Sequence, residues 1–502
     1  MNKRLKVYQM TPERVAEETF TKISSSPYQR RESKKKKPKQ RGKSSELIEH
    51  YHMLTPLYAG RPLTLLFDVS EDERAVNVAD HCFTYKLTEG YSMYTSLRHA
   101  LQSAGLKQTT AFSFNIIFTT VPKPDFLISL KSHQKVNHFP GSWQLGRKDN
   151  LWKNIDKFKR KHKKQFDICP KTFVLPDHFT QFNIERKEHP GQLWIMKPNG
   201  LSCGRGIRIV SNKSRCDNRN GYVVSRYIMN PHLINGYKYD LRLYVAVTSF
   251  DPLRVYIYEE GLVRFATEPF VADKKKIKRR YMHLTNFSVN KRSPNFVSPE
   301  EDEGASKWAF SAYLSYLQGL GVNTEGLMRE IESTIIKSLI SVEPIIANKL
   351  GGYNKNCFEL YGYDIILDCN LKSWLLEVNI SPSLSCSSPL DKRIKTQLMG
   401  DLLTLVGLSH ISRKHSFMCR SASDIMDVSE LGAYKLNNDD LEVLVGAYEE
   451  RHRARNFKVI FPVKESIGHF SGLFQSHRYY NLLLWKFITS PDNVLNLYLN
   501  AN

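Results

Sequence analysis

Two short runs decide how this chain is read: FELYGYDIIL at Phe358–Leu367 and WLLEVN at Trp374–Asn379. Within them Tyr363–Leu367 and Trp374–Val378 read as strands, and Asp368–Ser373 between them supplies a turn, so together they predict a hairpin. Side chains alternate along a strand, which puts Glu377 and Asn379 on one face and Leu376 and Val378 on the other. Asp364 lies on the partner strand. A carboxylate from each strand and an amide oxygen make an all-oxygen donor set that suits Mg²⁺, an ion that binds through one or two carboxylates plus substrate phosphates. The same residues would also serve as the polar outer face of an ordinary hairpin.

Working outward, LWIMKPNGLSCGRGI (Leu193–Ile207) ends an apolar strand on Lys197 and continues into a loop holding Gly200, Gly204 and Gly206. Such a loop lets backbone N–H groups approach an anion, although glycines between strands also make plain turns. It has neither the GxxxxGK[ST] nor the GxGxxG spacing. In GYKYDLRLYVAV (Gly236–Val247), Lys238, Asp240 and Arg242 alternate and share one strand face. Charges beside a buried strand need partners, so they read either as a salt-bridge ladder or as a cationic wall for phosphate or carboxylate. Arg264 in GLVRFAT and the polar segment HLTNFSVNK (His283–Lys291) complete the set.

Further strands are expected at Leu193–Met196, Ile207–Val210, Tyr222–Val224, Leu241–Thr248, Val255–Tyr258 and Leu262–Phe265, the last two forming a hairpin around Glu259–Gly261. Two helices are expected between Gly304 and Lys349, broken near Gly319–Asn323. Lys148–Lys164 carries Leu151, Trp152, Ile155 and Phe158 at helical spacing under a cationic outer face. Upstream, strands at Leu63–Val69 and Phe112–Phe118 and a helix at Tyr94–Ala104 make a small α/β module ending near Pro140. The expected division is a basic disordered arm (1–45), an N-terminal α/β domain (46–140), a central domain (141–230), a larger C-terminal domain (231–410) and an extension (411–502).

The 502 residues, 41% of them hydrophobic and 25% charged, exclude wholesale disorder and a disulfide-stapled mini-fold. Against 73 Lys and Arg stand 50 Asp and Glu, a formal charge of +23. That surplus calls for an acidic partner: nucleic acid, an anionic membrane or an acidic polypeptide. Residues 1–44 carry +10 of it, with nine basic residues in Arg30–Lys43. No run approaches the roughly 20 apolar residues of a membrane span, and the first twenty residues are too charged for a signal peptide. A soluble intracellular chain is expected, its eight scattered cysteines mostly buried thiols.

In this order, KPNGLSCGRGI, SRYIMNPHLINGYKYDLRLYV, EEGLVRFATEPF, MHLTNFSVNK, and FELYGYDIIL through LLEVNISPSL resemble the tubulin tyrosine ligase-like family over residues 80–410. QKVNHFP and GRKDNLWKN look like its opening segments. VSRYI, EEGLVRFAT, ELYGYD and EVNISPSLS are most similar to its glutamate-ligase branch, the tubulin polyglutamylases. The resemblance implies an α/β (α+β) fold, an ATP-grasp ligase core that uses ATP and Mg²⁺. It implies an isopeptide bond between the γ-carboxylate of a glutamate in an acidic tubulin tail and the α-amine of free L-glutamate, made through an acyl phosphate. Tubulin and microtubules would be the partners of a monomer in the cytoplasm and cytoskeleton, including cilium or basal body, with neither membrane nor nucleic acid bound.

Position by position, the resemblance puts Lys197 and Lys148 on ATP phosphates beneath a cover of Cys203, Gly204, Arg205 and Gly206. Ser225, Arg226, Tyr227 and Ile228 would line the adenine pocket, with Lys238, Tyr239 and Asp240 at the nucleotide and Thr285 and Asn286 near its phosphates. Asp364, Glu377 and Asn379 would hold Mg²⁺, and Arg242 would stabilise the transferred phosphoryl group beside the catalytic Lys197 and Glu377. Arg264 would grip the carboxylate of the incoming glutamate and Lys307 its side-chain carboxylate, next to Phe287 and Ser288. Many relatives have Gln where this chain has Ser225, and Arg or Gln where it has Cys203, so contacts there differ in strength. Alternatives are a glycine or tyrosine ligase of the same family and a non-catalytic microtubule- or nucleic-acid-binding protein. Lys307 favours a second carboxylate, and hence glutamate.

Overall fold

The structure is a computed structural model that describes residues 52–58, 61–69, 83–89, 91, 93–201, 204–216, 220–297, 306–352, 354–409 and 436–490. The basic run Arg30–Lys43 and Cys203 lie outside these residues. Strands β1 (Thr84–Leu87), β2 (Lys107–Gln108), β3 (Ile116–Phe118) and β4 (Lys135–Val136) form a parallel sheet in the order β2-β1-β3-β4. Helix α1 (Thr95–Ser103) connects the first two. The strand expected over Phe112–Phe118 is confined to its last three residues, and that expected over Leu63–Val69 to Thr64–Leu65.

Helix α2 (Lys148–His162) buries Leu151, Trp152, Ile155 and Phe158, the stripe that its spacing predicts. An antiparallel sheet follows, built from β5 (Thr172–Leu175), β6 (Trp194–Pro198), β7 (Arg208–Val210) and β8 (Tyr222–Arg226) in the order β5-β8-β6-β7.

The large antiparallel sheet is assembled around two long strands, β9 (Tyr237–Phe250) and β10 (Leu253–Phe265), with β11 (Lys307–Ala309), β12 (Glu359–Leu367) and β13 (Ser373–Asn379) in the order β11-β10-β9-β12-β13. One face, with Leu241, Leu243, Val245 and Val247, packs on α2 and on α4 (Thr324–Leu350), which follows α3 (Phe310–Gly319). The other face carries Tyr244 and Ala246 against α1 and α5 (Pro389–Val406). Lys238, Asp240 and Arg242 sit on this second face at its open end.

The hairpin expected at Glu259–Gly261 is a misreading. The chain reverses at Asp251–Pro252, and Val255–Phe265 is one strand with an irregularity opposite Tyr244. Gly261 serves close packing rather than a turn: a Cβ there would meet the Arg242 carbonyl oxygen at 2.7 Å. Beyond residue 435, α6 (Asn438–His452), β14 (Phe457–Phe461) and α7 (Tyr479–Thr489) follow, and β14 pairs with β10. Between Arg451 and Lys458, Arg453 pairs with Glu449, Arg455 with Asp401 and Lys458 with Glu332, and Arg455 and Lys458 remain exposed. Of the five described cysteines only Cys169 and Cys357 are buried, fewer than expected.

Overpacking of this kind costs typically about 1–3 kcal/mol. Gly261→Leu should therefore lower the midpoint of chemical denaturation by a corresponding amount, measured by tryptophan fluorescence in urea.

Candidate active site

The charged residues meet because register, not sequence proximity, aligns them. Asp240 on β9 lies opposite Arg264 on β10, Arg264 opposite Lys307 on β11, Arg242 opposite Asp364 on β12, and Asp364 opposite Glu377 on β13. A row of charge crosses five strands on one face.

Asp364, 2% exposed, is its hub. Arg242 donates from Nε to Oδ1 at 2.6 Å and from Nη2 to Oδ2 at 3.1 Å, while Arg264 Nη2 stands 2.9 Å from Oδ2. Arg264 also binds Asp240 through Nε and Nη2 at 2.6 and 2.7 Å, and Thr285 Oγ1 donates to Asp240 Oδ2 at 2.5 Å. Burial alone would raise the Asp364 carboxyl, but Arg242 and then Arg264 pull it well below the usual carboxylate range. Arg264 is held well above its ordinary value against its burial, chiefly by Asp240. Gly362 makes room for this arrangement, since a Cβ there would meet Pro382 at 2.8 Å and the Arg242 chain at 3.4 Å.

The row ends in a cleft between the two antiparallel sheets. Ile195 and Val223 line it from the smaller sheet, Ile366 and Leu375 from the larger, and Trp152 of α2 closes one side. These apolar walls make a slot for a flat ring. Around its polar end stand Lys148, Lys197, Lys238, Asp240, Thr285, Asn286, Asp364 and Glu377. Ser225, Arg226, Tyr227 and Ile228 border the slot, as do Gly204 and Arg205. Gly204 and Gly206 both have φ of +70°, which favours glycine, and a Cβ on Gly204 would come within 2.9 Å of Val289 and 3.0 Å of Asn286. The glycine loop is therefore laid against the Thr285–Val289 segment.

Lys148 Nζ lies 3.1 Å from Glu377 Oε2 and also donates to the Leu201 carbonyl. The Lys197 ammonium is buried without an ion pair among the described residues, and burial lowers its pKa, with Glu377 acting against the fall. Lys238 Nζ donates to Tyr227 Oη and the His283 carbonyl at 3.0 and 3.1 Å. Burial brings its ammonium down to about 7. His283, down to about 4 through burial and then Lys238, stays neutral beside it.

Some expected residues stand apart. Tyr239 points to the opposite face from Lys238 and Asp240, into the core, where its hydroxyl bonds His232 and Tyr313. That placement corrects the expectation that its side chain meets the nucleotide. Asn379 donates to the Gly362 carbonyl at 3.1 Å, which leaves its amide oxygen available. Phe287 lies under the Lys307 ammonium, 4.2 Å from Nζ to ring centroid. Ser288 follows it in a four-residue helical turn. The sequence reading missed the slot's walls, whose residues are indistinguishable from core until two sheets face each other. It also missed Asp391, 2.7 Å from Lys307.

The sequence profile of the tubulin-tyrosine ligase family matches residues 127–415, a span that contains every element of this site. The chain belongs to this family. Ligases of the family have an ATP-grasp-like fold and depend on ATP. Human tubulin polyglutamylase TTLL5 is 41% identical over 397 residues, 70% of this chain and 31% of the relative. Human tubulin monoglutamylase TTLL4 is 36% identical over 398 residues, 71% and 33% of the two chains. A Caenorhabditis elegans tubulin polyglutamylase, ttll-4, is 35% identical over 399 residues, 74% and 66%. The chain thus spans about a third of the length of the two human relatives.

The depressed Lys238 has two pH consequences. Between about 7 and the ordinary lysine range the unfolded chain binds more protons there than the folded chain, so this residue's contribution to stability rises with pH across that window. An anion in the cleft favours the charged form, so binding of MgATP at pH 8 should be accompanied by proton uptake that diminishes below pH 7 and shrinks in Lys238→Met. Calorimetry in buffers of different ionisation enthalpy measures it, and the absence of uptake at pH 8 would contradict the assignment.

Proposed function

We propose that this chain is an ATP-dependent glutamate ligase that modifies acidic tubulin tails, joining the γ-carboxylate of a tail glutamate to the α-amine of free L-glutamate. The observation that carries this reading is the row from Lys307 to Glu377, which ends in the same cleft as Lys197, a buried lysine with no ion pair among the described residues. The names of the relatives agree with it: tubulin polyglutamylase and tubulin monoglutamylase. An association with the cytoskeleton follows from the substrate. Among the described residues, no helix is long and apolar enough to cross a membrane.

The residues present fit MgATP. Asp364 and Glu377 face each other in register and both line the cleft, with Asn379 two positions on from Glu377; a cation there would share Asp364 with Arg242 and Arg264 and Glu377 with Lys148, and the buried Lys197 has no ion pair among the described residues. Mg²⁺ would be held by Asp364, Glu377 and Asn379, and the phosphates by Lys197 and Lys148 under the Gly204–Gly206 loop. The apolar slot bordered by Ser225–Ile228 takes the adenine. ATP would supply the activation that an amide bond needs: its γ-phosphoryl group would pass to the acceptor carboxylate with release of ADP, and the glutamate amine would then displace phosphate as the amide forms. The protein's part is electrostatic: Arg242 and Lys197 neutralise charge where two anions meet, from positions already fixed by the fold.

Arg264 has Nε and Nη2 committed to Asp240 and Asp364, so Nη1 remains for the carboxylate of the incoming amino acid. Lys307, two strands from Arg242, would meet that amino acid's second carboxylate. The amine is then directed toward the activated acceptor.

Outside the cleft, α2 keeps Lys153, Lys159 and Arg160 in surface pairs with Asp177, Asp167 and Asp156. Lys161, Lys163 and Lys164 have no ion pair among the described residues and offer a surface for the glutamate-rich tail.

Glu377→Gln should abolish incorporation of labelled glutamate into tubulin while leaving the thermal midpoint near that of the unsubstituted chain. Ligation at a near-normal rate with ATP and Mg²⁺ would sink the assignment. Exposed charges are screened over about 8 Å at physiological salt and buried ones far less. Raising the salt concentration should therefore weaken a glutamate-rich tail peptide steeply and ATP only slightly, as read by fluorescence anisotropy.

A further inference from the structure

We propose that Asp391, anchored by Lys395, is a positioning residue that sets the Lys307 ammonium for the side-chain carboxylate of the incoming amino acid. The proposal rests on the reading above, in which Lys307 meets that carboxylate.

Asp391 sits in the first turn of α5, after the capping residue Ser388, and its side chain is fully buried. A carboxylate at a helix N-terminus is ordinary capping chemistry. Capping does not explain why two buried lysines converge on it. Oδ2 accepts from Lys307 Nζ at 2.7 Å and from Ser387 Oγ, which stands 3.2 Å from the same ammonium. Oδ1 forms an ion pair at 2.9 Å with Lys395, one turn further along α5, and Lys395 also donates to the Ser385 carbonyl at 2.7 Å. The Phe287 ring supports Lys307 from another side. A lysine has a long flexible stem with many rotamers. Here that freedom is already lost before any ligand arrives, which is the condition for a precise grip.

The charges in this neighbourhood act together. Burial lowers the Lys395 ammonium, Asp391 opposes the fall, and Lys307 and Arg242 deepen it. The Asp391 carboxyl is drawn down to about 2, burial being overcome by Lys395 and then Lys307. Arg242 and Arg264 are balanced by Asp240 and Asp364, whereas Lys307 and Lys395 share the single carboxylate of Asp391, a local surplus of one positive charge. A dicarboxylic amino acid in its zwitterionic form carries one net negative charge and would neutralise it. A monocarboxylic amino acid carries none and would leave it uncompensated. Without Lys395, Asp391 would bind Lys307 alone and more tightly, withdrawing it from a ligand. Without Asp391, two buried ammoniums would repel each other and Lys307 would lose its direction.

The test is steady-state ligation by the full chain, varying free glutamate and ATP separately with a glutamate-rich acceptor peptide. Asp391→Asn should raise the KM for glutamate about tenfold, the order expected for a misplaced binding group. The KM for ATP should stay within about twofold. In a Lys307→Ala background the same substitution should add nothing further. Ser387→Ala, which keeps every charge, should move the same KM in the same direction by less, and it carries the test if Asp391→Asn does not fold. Additive effects, equal shifts for ATP and glutamate, or an unmoved glutamate KM in Ser387→Ala alongside a lowered thermal midpoint in Asp391→Asn would each overturn the proposal, the last by reducing Asp391 to a helix cap. If the unsubstituted chain incorporates another amino acid and no glutamate, the functional reading falls and takes this one with it. If it incorporates glutamate and the variants are indifferent, only the positioning role falls.

Discussion

Asp364 is buried between two guanidiniums, and the rest of the site is arranged around that fact. An unpaired carboxylate in this position would cost several kcal/mol, and removing one partner of a buried pair costs on the order of 3–5 kcal/mol. Arg242 and Arg264 remove that cost only because β9 and β10 run far enough, in the right register, to bring both to one carboxylate. Arg264 in turn satisfies Asp240, and Asp240 takes Thr285, which ties the segment under the glycine loop to the centre of the sheet. This ion network holds the polar end of the sheet together.

The face that carries this network changes character along β9. Lys238, Asp240 and Arg242 are polar, then Tyr244 and Ala246 continue the same face into an apolar core against α1 and α5. The site thus occupies the rim of a core, where groups are desolvated enough for charges to act strongly but open enough for a ligand to enter. Lys197, on β6 across the cleft, and Lys238 are both buried at this rim, and burial lowers both ammoniums. Helix α5 has two roles there: its body closes the core, and its first turn brings Asp391 to Lys307.

Much of this was readable beforehand. Alternation along Gly236–Val247 places Lys238, Asp240 and Arg242 on one face, the hairpin Tyr363–Val378 puts a carboxylate on each of its strands, and the helix break near Gly319–Asn323 appears between α3 and α4. Each of these depends on local periodicity or turn chemistry. The misreadings share another origin. Gly261 looked like a turn residue because a glycine after two glutamates is a good local turn, but a carbonyl from the adjacent strand is what requires it. Tyr239 was grouped with its neighbours by position, although alternation itself sends its ring to the other side.

Local pattern therefore determined the strands, the amphipathic helix, the polar and apolar faces and the types of group available for phosphate, metal and carboxylate. Only the tertiary structure decided which of those groups meet. Pairing register across five strands makes Asp364 the common partner of two arginines, the facing of two sheets turns core-like aliphatic residues into a slot, and the docking of α5 sets Asp391 beneath Lys307. The physical reason is that a cross-strand or interhelical contact is selected by the free energy of burying a whole face and satisfying every charge within it. No single residue type or spacing encodes that sum.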